Sequence, residues 1–472
     1  MIRLSLAEIA AVVGGEVHDD LPGPHGAVVT APAFVDTRQP VAGGLFVAVA
    51  GDQVDGHDYA DQALAAGAAG VLGTRPTGRP TVVVDDAVVA LGRLARHIVD
   101  VLPATVLALT GSQGKTGTKD FLAQVLAAAG ESVWTQGNQN NEIGVPLTVL
   151  RATPNTRFLA LEMGARGVGH IAELCRIAPP GVAAVLNVGT AHIGEFGSRE
   201  AIARAKGEIV EALGADGTAV LNADDDLVAA MAQRTRARVL TFGRDGDVAW
   251  RGLELDELGR PDLELGYDGH WAPLHLLEAG AHQVANAAAA AAMALAAGVT
   301  WEVVVDALGR ARSLSPWRMA LHERSDGLVV VNDSYNANPA SMNAALDALA
   351  VIGARGHRRT LAVLGEMLEL GPSSAEEHAG VGAHAASLGI DVLVTVGDAA
   401  GAIAEGARRS PGWSGRVVGT AGREHATEWL RQNVSARDVV LVKASRGAAL
   451  ERVADVLVEE QADDQEGGTA SR

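Results

Sequence analysis

A short loop containing two glycines, a lysine and a threonine is the part of this sequence best suited to chemistry. It stands in TVLALTGSQGKTGTKDFLAQVLAAAG, which has the pattern of an apolar strand, a loop and an amphipathic helix. Glycine lets a backbone approach phosphate oxygens closely, and a helix N-terminus adds oriented N–H groups and partial positive charge. We therefore expect the phosphates of ATP here, with the Lys115 ammonium on the terminal phosphates and the Thr116 hydroxyl on Mg²⁺. The loop residues are Gly111, Ser112, Gln113, Gly114, Lys115, Thr116 and Gly117.

Candidate metal ligands follow two other apolar runs. Glu162 ends the strand in RFLALEMG, and His192 follows VAAVLNVG. Ligands of parallel sheets bind at the carboxyl ends of strands, so both residues should lie at the edge that carries the phosphate loop. Together they could bind Mg²⁺, although taken alone His192 is better explained as a loop or core histidine. By spacing alone, Lys206 is better explained as a surface lysine paired with Glu208 or Glu211.

The elements that would position these residues alternate along the chain. Short runs rich in Val, Leu and Ile are separated by helical patterns, which is typical of parallel sheets covered by helices on both faces. The pattern predicts an α/β fold. The runs are TVLALT, RFLALEMG, VAAVLNVG, TAVLNA, LVVVNDS, TLAVLGE, DVLVTVG and DVVLVKA.

The length predicts about three domains, because 472 residues exceed what one core holds. We expect a small N-terminal α/β domain at 1–102 and a central domain with a mainly parallel sheet at 103–315. A C-terminal Rossmann-like α/β domain should span 316–460, with SLSPWR before it as a hinge. The acidic segment 461–472 has few large apolar groups and should be a disordered tail.

Charge and cysteine content exclude several classes of protein. The formal net charge of −19 argues against a nucleic-acid or anionic-membrane surface, so a phosphate ligand must be held locally. The single Cys175 excludes an internal disulfide framework, and the first residues lack the pattern of a signal peptide. The Ala-rich HQVANAAAAAAMALAAG predicts a buried helix and no membrane span. We expect a cytoplasmic monomer.

These motifs occur in the order and spacing of a known family. TGSQGKT, the blocks EMGA and GHIAEL, and NVGTAHIGEFGSREAIARAKGEI together resemble the Mur ligases, the ATP-dependent amide ligases of peptidoglycan precursor synthesis. The resemblance covers nearly the whole chain. It implies an N-terminal domain for the UDP-linked substrate, a central P-loop ATPase-like domain and a C-terminal Rossmann-like domain.

Two segments resemble one branch of the family. GNQNNEIGVPLTVL and NDSYNANPASMNAAL are similar to the members that join D-alanyl-D-alanine to UDP-N-acetylmuramoyl-tripeptide, and the DNPR-type motif of a sibling is not seen. The resemblance implies that a substrate carboxylate attacks the γ-phosphate of ATP. The resulting acyl phosphate is then attacked by the amine of the dipeptide.

The resemblance also implies roles for single residues. Lys206 matches a carbamylated lysine that would join Thr116, Glu162 and His192 as a ligand of Mg²⁺. The remaining nucleotide contacts would be Asn286 on adenine, Arg318 on the γ-phosphate across the hinge, and Asp333 near the ribose. The residues implied to be catalytic are Lys115, His192, Lys206 and Arg318.

The substrate contacts implied by the resemblance come from four segments. Those at the UDP end are Thr37 and Arg38, with Gly51, Gly56 and His57 in the adjoining loop. Those beside the phosphate loop are Asn138 and Asn141. Those near the ribose and the dipeptide are Tyr335, Asn336 and Asn338. Those for the carboxylate of the dipeptide are Lys443, Ser445 and Arg446.

Some positions depart from the family pattern, and other functions stay open. The family usually has Thr or Ser where this chain has Gly117, Glu where it has Asp120, and DSR where it has DTR. The alternatives are another Mur-type or folylpolyglutamate-type ligase and, from a different class, an ATP-binding regulatory module without turnover.

Overall fold

The structure is a computed structural model that describes residues 1–18, 27–51, 54–189 and 196–466. In these residues the chain forms sheets of four, nine and six strands, in that order, and one two-stranded ribbon. Helices connect most of the strands. The predicted α/β class with three domains is confirmed.

The N-terminal sheet has the strand order β2-β6-β5-β4, in which only β2 is antiparallel to its neighbour. Its first helix begins at a capping box, where the Ser5 hydroxyl accepts from the Glu8 N–H and the Glu8 carboxylate accepts from the Ser5 N–H. The strands are β1 (Leu4–Ser5), β2 (Glu16–His18), β3 (Val28–Val29), β4 (Leu45–Val47), β5 (Gly70–Gly73) and β6 (Thr81–Val83). The helices are Leu6–Val13, Ala60–Ala65 and Ala87–Val101, with a 3₁₀ turn at Gly56–Tyr59.

The central sheet has the order β15-β14-β13-β12-β11-β10-β7-β9-β8. From β8 at one edge as far as β13, each strand is parallel to the next in the sheet. Strands β14 and β15 then extend the sheet from β13 by antiparallel pairing. The strands are β7 (Thr105–Thr110), β8 (Ser132–Trp134), β9 (Phe158–Glu162), β10 (Val182–Val185), β11 (Thr218–Asn222), β12 (Arg238–Phe242), β13 (Val248–Leu255), β14 (Pro261–Tyr267) and β15 (His270–His275). The helices are Lys115–Ala129, Gly144–Val149, His170–Ile177, Arg199–Glu211, Asp226–Ala229, His282–Ala296 and Trp301–Arg310, with a 3₁₀ turn at Ala230–Arg234.

The C-terminal sheet has the order β16-β17-β21-β18-β19-β20, and only the edge strand β16 is antiparallel. The strands are β16 (Ala320–Glu323), β17 (Val329–Asn332), β18 (Arg359–Leu364), β19 (Val392–Val396), β20 (Arg416–Thr420) and β21 (Asp438–Lys443). The helices are Pro339–Gly356, Ser374–Ser387, Gly401–Arg408, Arg423–Asn433 and Glu451–Glu466, and short 3₁₀ turns lie at Gly371–Ser373, Asp398–Ala400 and Arg446–Ala448.

The last helix corrects one prediction. It runs to Glu466, so a disordered tail starting at 461 is wrong for 461–466, and 467–472 lie outside the described residues. Four of its six residues, namely Gln461, Ala462, Gln465 and Glu466, have high helix propensity and can extend a helix whose apolar residues are already packed. Val453 and Leu457 supply that packing, since both are buried.

All eight apolar runs predicted as strands contain a strand with a parallel neighbour. The Ala-rich segment forms the helix His282–Ala296, whose middle is buried between strands and helices of the central sheet. In the part of the chain that the structure describes, no helix is long and apolar enough to cross a bilayer.

Candidate functional site

A cleft of about 1500 Å³ collects most of the predicted site residues. The carboxyl ends of β7, β9, β17 and β21 all contribute to it or lie beside it, because Gly111 follows β7, Glu162 ends β9, Asp333 follows β17 and Lys443 ends β21. Strand ends of two different sheets therefore meet at one site, as the sequence predicted for the central sheet.

The phosphate loop joins β7 to the helix Lys115–Ala129 through a left-handed glycine. Gly114 has φ +74°, and a Cβ there would lie 2.4 Å from Oδ1 of Asn286, so no other residue fits without displacing that amide. Asn187 holds the loop from the neighbouring strand: its Oδ1 accepts from Gln113 N–H at 2.9 Å and its Nδ2 donates to Gln113 O at 3.1 Å. The loop is thus fixed before any ligand binds.

Lys115 is the cation at the centre of the loop. Its ammonium donates to Gly111 O at 2.7 Å. Burial lowers the pKa of Lys115, nearby Glu162 opposes that shift, and nearby Arg318 adds to it. Two cations from different sheets therefore lie close enough to repel each other, and an anionic ligand between them would relieve that repulsion. This arrangement suits the terminal phosphates of a nucleotide.

Glu162 and Thr116 form the other side of the loop. The Thr116 hydroxyl donates to Oε2 of Glu162 at 3.0 Å, and the Asn140 amide donates to Oε1 at 2.8 Å. Glu162 is buried and both of its oxygens accept a hydrogen bond, so the orientation of its carboxylate is fixed. A carboxylate and a hydroxyl that face each other are oxygen ligands of the kind Mg²⁺ prefers, and both could turn to such an ion. No group of three His, Cys, Asp or Glu suited to a metal occurs among the described residues.

Lys206 is buried, which overturns the explanation of a surface lysine paired with Glu208 or Glu211. Glu208 instead accepts from the backbone N–H groups of Gly169 and Ala172, and Glu211 pairs with Arg234. Burial, with a smaller effect from the charge of Lys115, lowers the pKa of Lys206 well below its ordinary value. A neutral amine is the form that can react with carbon dioxide. The structure therefore fits a carbamate at this position, in the cleft that Thr116 and Glu162 also line.

Asn286 lies directly behind the phosphate loop. Its Nδ2 donates to Gln283 Oε1 at 2.8 Å and its Oδ1 accepts from the Thr118 hydroxyl at 3.3 Å. His282, one turn earlier on the same helix, also lines the cleft. The predicted adenine contact is thus held in a network of buried polar groups.

Asn138 and Asn141 both line the cleft beside the loop, as predicted. Oδ1 of Asn141 accepts from Gly144 N–H at 2.9 Å and so stabilises the start of the helix Gly144–Val149. Asn140, between them, contacts Glu162 and was not predicted. It could have been found from its place in the same NQNN run.

Arg318 and Tyr335 stack across the cleft on the C-terminal side. The Arg318 guanidinium lies 4.0 Å from the centroid of the Tyr335 ring, and its buried Nε has no hydrogen-bond partner. Arg446 lies 4.1 Å from the ring centroid of Trp317 and 5.9 Å from that of Tyr335. The aromatic rings hold both guanidinium groups in place while leaving N–H donors for an anion.

Asp333 and Lys443 form an ion pair in which the lysine is buried and the carboxylate is partly buried. Lys443 Nζ donates to Asp333 Oδ2 at 2.5 Å and to Asn336 O at 3.0 Å. The other oxygen of Asp333 accepts from Met319 N–H at 3.0 Å. Lys443 thus orients Asp333 and the loop after β17 from within the sheet.

Of the other residues predicted to contact the dipeptide, two form hydrogen bonds with the backbone and one is exposed. Asn338 Oδ1 accepts from Ser341 N–H at 2.9 Å and caps the helix Pro339–Gly356. The Ser445 hydroxyl donates to Ala337 O at 3.4 Å and accepts from Leu368 N–H at 3.0 Å. Arg446, whose side chain is 53% exposed, is the cation among these residues that a carboxylate can reach.

The N-terminal predictions lie away from the cleft lining. Arg38 is 86% exposed and pairs with Asp36, whose pKa the guanidinium lowers to about 2. His57 is buried; its Nε2 accepts from Thr74 N–H and its Nδ1 donates to Asp55. The N-terminal wall of the cleft is instead basic and was missed, because its residues come from two distant helices and a loop. These residues are Arg93, Arg96, His97, Arg166, His170 and Arg176.

His192 lies outside the described residues, so its predicted place beside Glu162 stays a prediction. His378, in a segment similar to the family pattern, accepts from Met367 N–H at 2.9 Å and donates to Ser374 O at 2.7 Å. It shapes the loop after β18, and part of that loop lines the cleft.

Family models match three consecutive stretches of the chain. They are described as the Mur ligase family catalytic domain at residues 35–101, the Mur ligase middle domain at 109–294, and the Mur ligase glutamate ligase domain at 317–446. A UDP-N-acetylmuramoyl-tripeptide–D-alanyl-D-alanine ligase of Mycobacterium tuberculosis is 46% identical, and the match covers 97% of this chain and 98% of that protein.

Solved structures agree with these matches. MurF from Acinetobacter baumannii has a TM-score of 0.85 and 31% identity over 97% of this chain and 99% of its own. MurF ligase from Thermotoga maritima in complex with ADP has a TM-score of 0.78 and 32% identity over 93% of this chain and 99% of its own. This chain belongs to the Mur ligase family.

Proposed function

We propose that this protein is the ATP-dependent ligase that joins D-alanyl-D-alanine to UDP-N-acetylmuramoyl-tripeptide. Support comes from the full-length relatives that carry this activity in their names and from the motifs around Asn138 and Asn336. The observation that carries the proposal is the meeting of Lys115, Glu162 and Arg318 in one cleft. The proposal places the enzyme in the cytoplasm as a monomer.

The reaction requires transfer of a phosphoryl group between crowded anions. The tripeptide carboxylate takes the γ-phosphoryl group of ATP to give an acyl phosphate and ADP, and the dipeptide amine then displaces phosphate to form the amide. Lys115 and the loop N–H groups would hold the phosphates, and Arg318 would approach from the C-terminal side. Fixed positive charge of this kind lowers the barrier by stabilising charge in the transition state.

Mg²⁺ would neutralise phosphate charge during transfer. Thr116 and Glu162 present the oxygen ligands, and we propose that His192 and a carbamate on Lys206 complete the set. Asp333, held by Lys443, would orient the nucleotide from the C-terminal sheet. We propose that Arg446 binds the dipeptide carboxylate and that Thr37 and Arg38 contact the UDP end. Domain boundaries near 102 and 315 fit the ends of the three sheets.

The test is phosphate release from ATP with UDP-N-acetylmuramoyl-tripeptide, with and without D-alanyl-D-alanine. We expect release only when both are present, and not when single amino acids replace the dipeptide. Tripeptides ending in diaminopimelate or in lysine should be assayed separately. Release that depends on a different amine would make the chain another amide ligase, and ATP binding without release would support the regulatory module.

Lys115→Ala should abolish this release, because no other cation of the loop can reach the terminal phosphates. We expect a loss of more than about 100-fold in kcat, with an unchanged circular dichroism spectrum. Arg3→Ala, which removes an exposed cation outside the cleft lining, is the matched control. Wild-type turnover in Lys115→Ala would contradict the assignment of the loop.

A further inference from the structure

The segment that joins the central and C-terminal sheets is bonded to the helix that follows the phosphate loop. The Gln124 side chain donates to Arg312 O at 2.7 Å and accepts from Arg312 N–H at 3.0 Å. The Asp120 carboxylate accepts from the N–H groups of Leu314 at 3.1 Å and Ser315 at 2.9 Å. Three of the four residues 312–315 are therefore bonded to this one helix, while the fourth, Ser313, donates its N–H to Glu278 at 2.6 Å.

Asp120 is part of a closed triangle of buried polar groups. The Ser315 hydroxyl donates to Asp120 Oδ1 at 3.0 Å, and Lys119 Nζ donates to the Ser315 hydroxyl at 3.0 Å. Lys119 and Asp120 form an ion pair at 2.5 Å, and each residue of the triangle is at most 5% exposed. A buried ion pair is costly to break from one side, so this contact should stay intact during domain motion.

The next residues of the connection are bonded to the other sheet. Trp317 O accepts from Tyr335 N–H at 3.0 Å, and Met319 N–H donates to Asp333 Oδ1 at 3.0 Å. Pro316 stands between the two sets of bonds and has no N–H to donate. The bonds to the central part therefore end at Ser315, those to the C-terminal sheet begin at Trp317, and Pro316 alone lies between them.

We propose that Asp120 is a positioning residue: it anchors the central end of the hinge, so that the C-terminal sheet turns about the bonds between Ser315 and Trp317. Arg318 lies three residues beyond the anchor, so its Cα stays within about 11 Å of the Ser315 Cα. Movement of the C-terminal sheet would then carry Arg318 along one short path to the loop that holds Lys115. The consequence for catalysis rests on the proposed function.

The test compares three variants of the full-length protein. Asp120→Asn removes the charge and weakens the acceptor, and Ser315→Ala removes only the hydroxyl and keeps the backbone bonds. Asp86→Asn is the matched control, because Asp86 also accepts from two backbone N–H groups but does so at an exposed helix start away from the hinge. Hydrogen exchange of the peptide 312–319 and the steady-state constants for ATP are measured for each.

In Asp120→Asn we expect faster exchange within 312–319 and a fall of about 10- to 100-fold in kcat, with KM for ATP changed less than about threefold. We expect kcat to fall more than KM changes because the phosphate loop is intact, while Arg318 is less well placed in the transition state. Asp86→Asn should change neither. Should Asp120→Asn fail to fold, Ser315→Ala decides, with the same direction and a smaller loss.

Unchanged exchange within 312–319 in both hinge variants would overturn the anchor, and so would wild-type kcat in a variant whose hinge exchanges freely. Equal losses in kcat and in affinity for ATP would also overturn it, because they would indicate general damage to the loop. If the wild-type protein released no phosphate with any substrate pair, the proposed function would fall. The exchange data would still decide whether Asp120 holds the hinge.

Discussion

Every lysine of this chain lies at the cleft or at the hinge beside it. The sequence contains four, namely Lys115, Lys119, Lys206 and Lys443, while its other 34 basic residues are arginines. Lys119 and Lys443 are buried in ion pairs with Asp120 and Asp333. Among the described residues Lys206 has no carboxylate partner, and its pKa is lowered. It is thus the lysine whose neutral form is most accessible to chemistry.

We predict that Lys206 forms a carbamate. With ¹³C-labelled bicarbonate, the wild-type protein should give one carbamate resonance that Lys206→Ala lacks. The pKa of Lys206 lies below that of the unfolded chain, so between the two values the unfolded chain binds more protons and the free energy of unfolding rises with pH. Loss of the same proton gives the amine that reacts with carbon dioxide, so the resonance should also grow as pH rises.

The few amines of the chain make this spectrum easy to assign. The competing site is the Met1 amine, whose pKa burial also lowers, and a resonance that persists in Lys206→Ala would belong there. Short carboxylic acids should restore part of the activity of Lys206→Ala and none of that of Lys115→Ala. Full activity of unrescued Lys206→Ala would rule out a role for the carbamate.

Residues that act through their own local pattern were predictable from the sequence, and those that act through distant partners were not. Lys115 and Thr116 follow from a strand, a loop and a helix contiguous in the chain. Asn187 was missed because its contact with the loop exists only once β7 and β10 are neighbours. The same holds for Asp120, which sequence comparison identifies only as a departure and whose partners lie 194 and 195 residues away.

At the scale of elements, the first turn of the helix Lys115–Ala129 has no room for a side chain at Gly117. A Cβ on Gly117 would lie 2.9 Å from Nδ2 of Asn286 and 3.3 Å from Oε1 of Gln283. Where the family usually has Thr or Ser, this chain therefore uses the space for the amide network behind the loop.

Gly117→Ala should separate helix stability from nucleotide binding. Alanine favours a helix over glycine by about 1 kcal/mol, but here it displaces Asn286, and losing one hydrogen bond should weaken binding of an ATP analogue about three- to tenfold. Calorimetric titration measures the affinity. The matched control is Gly380→Ala, at an exposed position of the helix Ser374–Ser387 where an added Cβ meets nothing within 4 Å, and it should leave binding unchanged. Equal affinity in Gly117→Ala and wild type would contradict a nucleotide contact by Asn286.

Some strands could be predicted from the sequence and others could not. Parallel strands buried on both faces have continuous apolar runs, so all eight were predictable. The extension β13 to β15 was missed because VAWRGLEL and PDLELGY mix charged and apolar residues on a sheet that is partly exposed. Its tight turn at Asp268 and Gly269, both with positive φ, is nevertheless a recognisable hairpin signal.

For the whole molecule, the hydrophobic cores divide at the hinge. One core runs from Leu4 to Met231 and joins the N-terminal sheet to one face of the central sheet, and a second covers the other face. Among the described residues before the hinge, Ala279 belongs to one of the two large cores of the C-terminal sheet, and the partly buried Leu258 packs against the same core. The N-terminal and central parts should therefore behave as one unit, although they are separate sheets.

We predict two calorimetric unfolding transitions for the ligand-free protein, one for residues before the hinge and one for the C-terminal part, because cooperativity follows shared cores. An ATP analogue with UDP-N-acetylmuramoyl-tripeptide should bring the transitions together, since bound ligand at about 100 times Kd stabilises by about 2.7 kcal/mol and would contact both units. Arg318→Ala, which removes a contact from the C-terminal side only, should reduce this convergence while the first transition still shifts. A single transition without ligand, or a ligand shift confined to the first transition in the wild-type protein, would show that the cleft does not couple the two units.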